Sequence, residues 1–437
     1  MKVALHTRGC PLNFAETSTL ARKFQDQGYE QVNFNEKADI YVINTCTVTS
    51  EADRKSKRAV KKAKKLNPEA KVIVVGCYAQ LYPEKSASMK DVDVDLVLGN
   101  NEKFNITDYL EKHKGKEKPE IHTSERNDLV KFHPSYSLGD RTRSFLKVQD
   151  GCDYRCSYCT IPGARGKSRN QSIGNLVEEA RTIAKSGVKE IILIGTNIGD
   201  FGKSTGETFQ ELIYRLEDVP GIERYRIASI EPNLLNENII RFVSQSEKFL
   251  PHFHIPLQSG NNDILAKMKR KYNRELFQHK ILLIKQRIPA AFVGADVIVG
   301  FPGEDEEKFR DTYEFLKNLD ASFYHVFPFS RRPNTTADEM KGQVPTEEIK
   351  QRSKQLQTLA EKKRMMFYRK NLGEKRKVLF ENHNQNGKIF GYTDNYIKIE
   401  KDYHPDLGGK TKRVYLKQIN NQGNVEGNIS ENVYNYG

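Results

Sequence analysis

The chain has 437 residues, too many for one hydrophobic core, so two or three domains are expected. No stretch approaches the ~18 consecutive apolar residues of a membrane span, and the first residues, MKVALHT, lack the long apolar core of a secretion signal, so a soluble cytoplasmic protein without membrane association is expected. A net charge of +14 fits a polyanionic partner such as nucleic acid, although excess charge can also simply keep a protein soluble.

Residues 1–112 alternate apolar strands with amphipathic helices, which predicts an N-terminal domain with a small parallel sheet covered by helices. Cys46 and Cys77 close two of the apolar strands, and Cys10 follows shortly after another. Because the carboxyl ends of parallel strands share one edge of a sheet, we expect the three cysteines to converge there. The predicted strands are KVALHT, DIYVINTC, KVIVVGC and VDLVLG, and the helices lie around residues 16–27, 51–66 and 103–112.

Residues 113–143 are highly charged and contain Gly and Pro, which predicts a linker or surface excursion. Strands and helices alternate again over residues 144–340, and six β/α units predict a partial, open TIM-like barrel. Its candidate strands are SFLKVQDGC, EIILIGTNIG, RYRIASIE, PHFHIPLQ, FVGADVIVGFP and SFYHVFPFS. Helices are predicted near residues 174–186, 207–217, 234–247, 261–268, 273–287 and 304–318.

Residues 341–370 are charged and helical in pattern, which predicts a helical connector. Its apolar stripe is expected to contain Ile349, Leu356, Leu359 and Met366. Over residues 371–437, short alternating runs separated by turn signals predict a small all-β barrel. The predicted fold class is therefore α/β for the first two domains, followed by this β-barrel.

The segment GCDYRCSYCTIP places Cys152, Cys156 and Cys159 in the spacing C-x3-C-x2-C. In a chain that is neither small nor apparently secreted, metal binding or redox chemistry is favoured over disulfides. Zinc sites favour paired C-x2-C hooks, and no second hook is present, which leaves a zinc site completed by histidines as the weaker alternative. Three thiolates can hold three irons of a 4Fe–4S cluster and leave the fourth iron open. The other three cysteines could hold a second such cluster.

This cysteine loop resembles that of the radical S-adenosylmethionine superfamily, in which S-adenosylmethionine chelates the open iron and is cleaved to a 5′-deoxyadenosyl radical. The segments LIGTNIG (193–199), IASIEP (227–232) and ADVIVGFPGE (295–304) resemble cofactor motifs of that superfamily. The resemblance implies that Tyr158 lies beside the adenine. It also implies cofactor contacts at Gly195, Asn197, Ser229, Glu231 and Gly300.

Over essentially the whole chain, the sequence resembles the methylthiotransferases. The resemblance rests on GCPLNFAET, NTCTVT, VVGCYAQ, CSYCTIPGARG, HIPLQSG, GFPGE and FSRRPNTTA. It implies an N-terminal methylthiotransferase domain, a radical barrel and a C-terminal TRAM domain. It also implies two 4Fe–4S clusters, six catalytic cysteines and two S-adenosylmethionine molecules per turnover. One of these methylates a sulfur on the N-terminal cluster, and the other generates the radical that prepares the substrate to take the methylthio group.

Members of this family modify an adenosine beside the tRNA anticodon or an aspartate of a ribosomal protein. GCPLNFAETST and YCTIPGARG are most similar to the branch that converts N6-threonylcarbamoyladenosine to its 2-methylthio form. FSRRPNTTA departs from that branch's usual RPGTPA at Asn334 and Thr336, and the Gly-Cys-Pro step also occurs in the ribosomal-protein branch. Isopentenyladenosine in tRNA and a ribosomal-protein aspartate stay open as substrates, as does a non-enzymatic RNA-binding protein with structural metal.

Several features favour tRNA, with its anticodon stem-loop, as the macromolecular partner, beside an unidentified electron donor. The run RKSKRAVKKAKK (54–65) could hold tRNA phosphates, with a solvated helix face as the alternative. We hypothesise that Arg331 or Arg332 pairs with the carboxylate of threonylcarbamoyladenosine. Aromatic residues of the C-terminal barrel could stack on unpaired bases, namely Phe380, Phe390, Tyr392, Tyr396, Tyr403 and Tyr415.

Overall fold

The N-terminal region is a parallel sheet with helices on both faces. The computed structural model describes residues 1–89, 92, 94–113, 118–139 and 142–430. All neighbouring strands of the sheet are parallel, and its apolar strands are buried on both faces, as expected for parallel sheets. In chain order the elements are β1 (Lys2–Thr7), α1 (Pro11–Asp26), β2 (Glu30–Val32), β3 (Ile40–Thr45), α2 (Ser50–Leu66), β4 (Lys71–Gly76), α3 (Cys77–Leu81), α4 (Pro83–Ala87), β5 (Leu96–Leu98), α5 (Ile106–Lys112) and β6 (Glu120–His122). The sheet order is β2-β1-β3-β4-β5-β6.

The segment 113–143, predicted to be a linker, contributes a strand to this sheet. β6 pairs with β5, where Val97 lies opposite Ile121, and Ile121 packs against the core. The strand has only three residues and follows a charged stretch, so its apolar pattern is too weak to be recognised. Residues 114–117, 140 and 141 of the predicted linker lie outside the described residues, as do residues 431–437 of the predicted C-terminal barrel.

Six parallel strands form the predicted partial barrel. Two three-stranded sheets, in the orders β11-β10-β7 and β12-β13-β14, are connected by parallel bridges between Tyr225 and Phe249 and between Ser229 and His254. A short antiparallel pair, β8 with β9, precedes and follows the loop that contains Cys152. In chain order the elements are β7 (Arg143–Lys147), β8 (Gln149–Asp150), α6 (Ile161–Arg165), β9 (Arg169–Asn170), α7 (Ile173–Lys185), β10 (Glu190–Ile194), α8 (Phe209–Glu217), β11 (Arg224–Ile227), α9 (Glu237–Gln245), β12 (His252–His254), α10 (Asn262–Lys267), α11 (Arg274–Arg287), β13 (Phe292–Val299), α12 (Glu306–Asn318), β14 (Phe323–Pro328), α13 (Thr336–Glu339) and α14 (Thr346–Lys370).

Helix α14 connects the cores of the partial barrel and the C-terminal barrel. Leu356 and Leu359 are buried in the first core, as their stripe predicts. Met366, predicted to lie on the same stripe, is 51% exposed, and Phe367 and Tyr368 enter the second core instead. Position 367 follows Leu356 by eleven residues, about three helical turns, and therefore lies on the same face. Within the described part of the chain, no helix has the length and apolarity needed to cross a bilayer.

The C-terminal region is the predicted all-β barrel. Five strands close on themselves in the order β15-β16-β17-β19-β18 around a core that includes Phe380. Of the aromatic residues predicted to stack on bases, Tyr403 and Tyr415 are exposed, whereas Tyr396 packs against His252 and Phe292 of the partial barrel. The strands are β15 (Lys375–Phe380), β16 (Lys388–Thr393), β17 (Lys398–Asp402), β18 (Thr411–Ile419) and β19 (Val425–Ile429).

Two buried arginines attach this barrel to the amino-terminal ends of β10 and β11. Arg224, the first residue of β11, donates to the backbone carbonyl of Lys377 at 2.6 Å, and Arg226 donates to that of Thr393 at 2.8 Å. Glu190, the first residue of β10, pairs with Arg226 at 2.9 Å. The C-terminal barrel thus docks at the end of the partial barrel opposite the carboxyl ends of its strands.

A fully buried carboxylate joins the N-terminal region to the partial barrel. Glu16 of α1 accepts two hydrogen bonds from Arg165 of α6, both at 3.0 Å. It also pairs with Lys103 at 2.6 Å and with Lys147 of β7 at 3.1 Å. Burial raises the pKa of Glu16, but the three cations outweigh burial and lower the pKa below its ordinary value. Glu16 is therefore ionised and binds both regions of the chain.

The same charge network contains a second carboxylate, Asp150 of β8. It pairs with Arg165 and Lys147, each at 2.9 Å, and with Arg169 at 3.4 Å. Two carboxylates thus face four buried cations, because Lys103 is also part of the network. The surplus of positive charge lies beside Cys77, whose Sγ is 3.7 Å from the amide nitrogen of Asn100, a further partner of Lys103.

Replacement of Glu16 by glutamine removes the only charge that pairs with Arg165, Lys103 and Lys147 together, among the described residues. Breaking a buried ion pair on one side typically costs about 3–5 kcal/mol, because the remaining charges stay buried without compensation. We expect Glu16→Gln to lower the free energy of unfolding by about that amount, measured by urea denaturation. The matched control is Glu51→Gln, because Glu51 pairs with Arg54 and Lys55 on the exposed surface of α2. Equal effects of the two variants would contradict the prediction.

Candidate active site

The structure brings Cys10, Cys46 and Cys77 together at the carboxyl edge of the N-terminal sheet. Cys10 immediately precedes α1, Cys46 immediately follows β3, and Cys77 is the first residue of α3. Burial, and after it the neighbouring Cys77 and Cys10, raise the pKa of the Cys46 thiol to about 12. Cys46 thus lies close to the other two thiols, which is the convergence that the alternating pattern predicted.

Two glycines allow this convergence. Gly9 has φ +107°, and a Cβ built there would lie 2.6 Å from the Cβ of Cys46 and 2.9 Å from its Sγ. Gly76, directly before Cys77, has φ +95°, and a Cβ there would lie 2.3 Å from the side chain of Asn44. Both positions need a backbone conformation and a space that only glycine provides. The Gly-Cys steps are therefore structural requirements for bringing the three sulfurs together.

The other three cysteines share one loop at the mouth of the partial barrel. The loop is anchored by backbone hydrogen bonds from Cys152 to Gly166 and from Ser157 to Met268, both 3.1 Å long. Within it, the amide of Cys159 donates to the carbonyl of Cys156 at 3.1 Å. These bonds fix a compact loop that directs three thiols to the same end of the barrel.

The chemistry of the thiols fits iron–sulfur clusters. All six cysteines are free. Burial raises the pKa of Cys152 to about 11 and that of Cys159 to about 12, so both need a neighbouring cation to become thiolates. Among the described residues, no group of His, Cys, Asp and Glu side chains is arranged to hold a single metal ion. A cluster requires a different arrangement, because each thiolate binds its own iron.

Arg270, which the sequence patterns did not single out, contacts the loop directly. Its guanidinium lies 3.1 Å from the Sγ of Cys156 and 3.4 Å from the hydroxyl of Tyr158. It also forms an ion pair with Glu231, one of the predicted cofactor residues. Burial raises the pKa of Cys156, while Arg270 opposes that shift. Arg270 therefore links the cysteine loop to the end of β11, and no motif of the sequence indicates this contact.

The predicted cofactor residues Gly195 and Asn197 lie at the carboxyl end of β10. The backbone amide of Asn197 donates to Gln149 at 2.8 Å, and its side-chain amide donates to Asp200 at 3.0 Å. The side-chain oxygen of Asn197 is buried and has no hydrogen-bond partner within the described residues. A buried acceptor of this kind fits a donor supplied by a ligand, such as the amino group of S-adenosylmethionine. Gln149 is a further residue of this site that sequence reasoning missed.

Three other predicted cofactor residues lie nearby. Tyr158 is edge-on to Phe301 with ring centres 6.2 Å apart, and Ser229 pairs with His254 across the junction of the two sheets. Gly300 has a packing role as well, because a Cβ there would lie 2.3 Å from Ile349 of α14. Their contacts with S-adenosylmethionine remain predictions.

A cavity of about 270 Å³ lies between the two regions. Its wall combines residues 158–161 of the cysteine loop, residues 48 and 49 directly after Cys46, and residues from the carboxyl ends of barrel strands. Asp296 of β13 lines it and pairs with His254 at 2.9 Å. One chamber thus borders both segments that carry cysteines. The lining residues are Val48, Thr49, Tyr158, Cys159, Thr160, Ile161, Gln258, Asp296, Ile298, Phe327, Pro328, Phe329 and Ser330.

The two arginines after β14 have different environments. Arg332 is buried and donates to the hydroxyl of Thr47 at 2.6 Å and to Asp53 at 2.7 Å. It therefore holds the segment after Cys46 against the partial barrel, while its Nε is buried and has no hydrogen-bond partner among the described residues. Arg331 is 61% exposed and pairs with Asp338. Arg331 is the more accessible of the two, and the substrate contact of either arginine stays a prediction.

Comparison with known proteins places this geometry in a family. Residues 2–99 match the model of "Uncharacterized protein family UPF0004", and residues 146–316 match that of the "Radical SAM superfamily". Among solved structures, the radical S-adenosylmethionine methyltransferase TsrM from Kitasatospora setae is similar in fold, with a TM-score of 0.55 at 15% identity over 77% of each chain.

Two curated relatives are similar over nearly their whole length. The threonylcarbamoyladenosine tRNA methylthiotransferase MtaB of Aquifex aeolicus is 39% identical over 95% of this chain and 100% of its own. The tRNA-2-methylthio-N(6)-dimethylallyladenosine synthase of a Sulfurihydrogenibium species is 32% identical over 98% of this chain and 99% of its own. The chain is therefore an enzyme that belongs to the radical S-adenosylmethionine methylthiotransferase family, whose chemistry uses an iron–sulfur cluster and S-adenosylmethionine.

Proposed function

We propose that this enzyme transfers a methylthio group to carbon 2 of N6-threonylcarbamoyladenosine beside the anticodon of tRNA. The MtaB relative supports this substrate, because its identity to the chain is higher than that of the dimethylallyladenosine synthase, 39% against 32%. The observation that carries the proposal is the shared cavity, which borders the loop of Cys159 and the segment after Cys46. A reaction that needs a radical and a sulfur donor in one place requires such a chamber.

The two cysteine trios would each hold one 4Fe–4S cluster, Cys152, Cys156 and Cys159 at the barrel and Cys10, Cys46 and Cys77 at the sheet. When bound, the clusters and S-adenosylmethionine supply a radical that abstracts hydrogen and a sulfur that is transferred. The chain itself positions these groups. Glu16 and Arg332 fix the N-terminal sheet against the barrel, so that the distance between the trios does not vary.

The residues around the barrel trio bind and orient the cofactor. The unpartnered side-chain oxygen of Asn197 would accept a hydrogen bond from the methionine end of S-adenosylmethionine, and Tyr158, which packs against Phe301, would lie beside the adenine. Arg270 neutralises charge on Cys156 and on Glu231. The apolar walls of the cavity, among them Ile298 and Phe329, exclude water from a reactive intermediate. The proposed reaction also requires an external electron donor. We propose that the enzyme acts in the cytoplasm, where tRNA is found.

Nucleoside mass analysis of tRNA from a host with and without this gene tests the function. We expect loss of the 2-methylthio form of N6-threonylcarbamoyladenosine without the gene, and accumulation of the unthiolated nucleoside. A gene encoding Cys156→Ala should fail to restore the product, because that variant lacks one thiolate of the radical cluster. Loss of the methylthio form of isopentenyladenosine instead, or of a modified ribosomal-protein aspartate, would assign the enzyme to another branch.

Iron analysis tests the second cluster. We expect about eight irons per chain after anaerobic reconstitution and about four when Cys10, Cys46 and Cys77 are all replaced by alanine. The alanine variant should still cleave S-adenosylmethionine, because the barrel trio is intact, but it should transfer no sulfur. The matched control replaces Cys152, Cys156 and Cys159, which should also leave about four irons but abolish cleavage. About four irons in the unsubstituted protein would exclude the second cluster.

The exposed Arg331 is the candidate for recognising the threonylcarbamoyl carboxylate. We expect Arg331→Ala to raise the KM for threonylcarbamoyladenosine-containing tRNA about tenfold, because a charge-assisted hydrogen bond is lost. Arg331→Lys should retain part of the affinity, since it keeps the charge but loses the planar guanidinium. An unchanged KM in steady-state assays of the alanine variant would exclude this role.

A further inference from the structure

A basic groove runs along the outer edge of the N-terminal sheet, separate from the cavity. It has a volume of about 570 Å³ and lies between α2, the end of β1 and the segment after β2. Three cations line it: Arg8, Arg58 and Lys62. None of the described residues that line the groove is acidic. The remaining lining residues are Leu5, His6, Gln31, Val32, Asn33, Phe34, Asn35 and Ala59.

Among the described residues, the cations of the groove have no carboxylate partners. Within the described residues, neither Arg8 nor Arg58 forms an ion pair, and Lys62 contacts the side-chain oxygen of Asn35. The Nε of Arg8, a donor, is buried and has no hydrogen-bond partner in the described part of the chain, and neither has the Nε2 of His6, whose role depends on the tautomer. A buried donor without a partner is costly, so the Nε of Arg8 indicates a ligand that accepts hydrogen bonds. The absence of acidic neighbours indicates that this ligand is an anion.

The sequence of α2 produces the groove. Its buried residues Ser56, Ala59, Val60 and Ala63 are small, so the helix packs closely on the sheet. Arg58 and Lys62 are four residues apart and therefore adjacent on one side of the helix, and both are exposed. The run of basic residues could have been a solvated helix face, but Arg58 and Lys62 instead share a depression with Arg8, which directly follows β1.

The position of the groove connects it to the reaction site. Arg8 is two residues before Cys10, and α2 begins at Ser50, whose hydroxyl is 3.1 Å from that of Ser330 at the cavity. Arg58 follows Ser50 by eight residues, or about 12 Å along a helix axis. An extended polyanion that enters the cavity therefore reaches the groove along the same helix.

We propose that this groove binds the sugar–phosphate backbone of the tRNA substrate next to the nucleotide being modified. The proposal rests on the proposed function and specifies where the tRNA backbone is held. Arg8, Arg58 and Lys62 pair with phosphates, and His6, stacked on Phe34 with ring centres 4.4 Å apart, provides a flat surface for a ribose or base. RNA is favoured over an acidic protein because three cations for closely spaced phosphates lie beside a stacked His–Phe pair that suits a ribose or base.

The test compares two double variants with the same loss of charge. In the groove variant, Arg58→Gln and Lys62→Gln are combined. In the control, Lys185→Gln and Arg215→Gln remove one lysine and one arginine from the exposed surfaces of α7 and α8. Binding of tRNA that carries N6-threonylcarbamoyladenosine is measured by titration over a range of salt concentrations. Iron content and S-adenosylmethionine cleavage of both variants show that the fold and clusters are retained.

We expect the groove variant to bind tRNA about tenfold more weakly at ~0.1 M salt, with a shallower salt dependence, because phosphate contacts release counterions. The KM for tRNA should rise while kcat at saturating tRNA is kept. The control should bind like the unsubstituted protein. If the groove variant binds tRNA as tightly as the control does, the assignment to RNA is overturned, and an acidic protein is the alternative occupant. If the unsubstituted protein binds no tRNA, the proposed function fails together with the groove.

Discussion

The buried ion pairs of Glu16 are the interaction on which the architecture of the site depends. The carboxyl ends of the strands form an open edge in the parallel sheet and an open mouth in the partial barrel, and neither region alone encloses a chamber. Glu16 of α1 binds Arg165 of α6 through two hydrogen bonds, directly after the cysteine loop. Because the charges are buried, any displacement of the two regions would expose carboxylate and guanidinium to an apolar interior at a cost of several kcal/mol. The interface is therefore fixed in one register.

This fixed interface explains how distant parts of the sequence serve one reaction. The chamber is formed from residues 48 and 49, the loop 158–161 and the ends of β13 and β14; the loop is more than a hundred residues from the first segment and from both strand ends. Arg332 reinforces the junction on the opposite side of the chamber through Thr47 and Asp53. The contacts of Arg332 illustrate that a conspicuous arginine near a strand end can have a structural role, whereas its neighbour Arg331 is exposed.

Much of the fold could be predicted from the sequence because periodicity and strand ends are local signals. The alternation of strands and helices located β1, β3, β4 and the six barrel strands, and the cysteines at strand ends predicted their convergence. Contacts between remote side chains were not accessible in this way. Arg270 and Gln149 belong to no motif, yet they touch Cys156 and Asn197. The short strand β6 was missed because its three residues follow a charged segment, and Met366 was misplaced because its stripe continues through Phe367.

The position of the C-terminal barrel determines how far a bound nucleic acid would have to extend across the enzyme. Arg224 and Arg226 attach that barrel where the strands of the radical domain begin, and the cysteines lie where those strands finish. An RNA bound at Tyr403 or Tyr415 would therefore have to extend from the amino-terminal to the carboxyl-terminal ends of these strands before one of its nucleotides could enter the chamber. The C-terminal barrel would then be a second binding site, far from the chamber, that favours RNA long enough to contact both sites. A short isolated loop would bind the chamber without this additional contact.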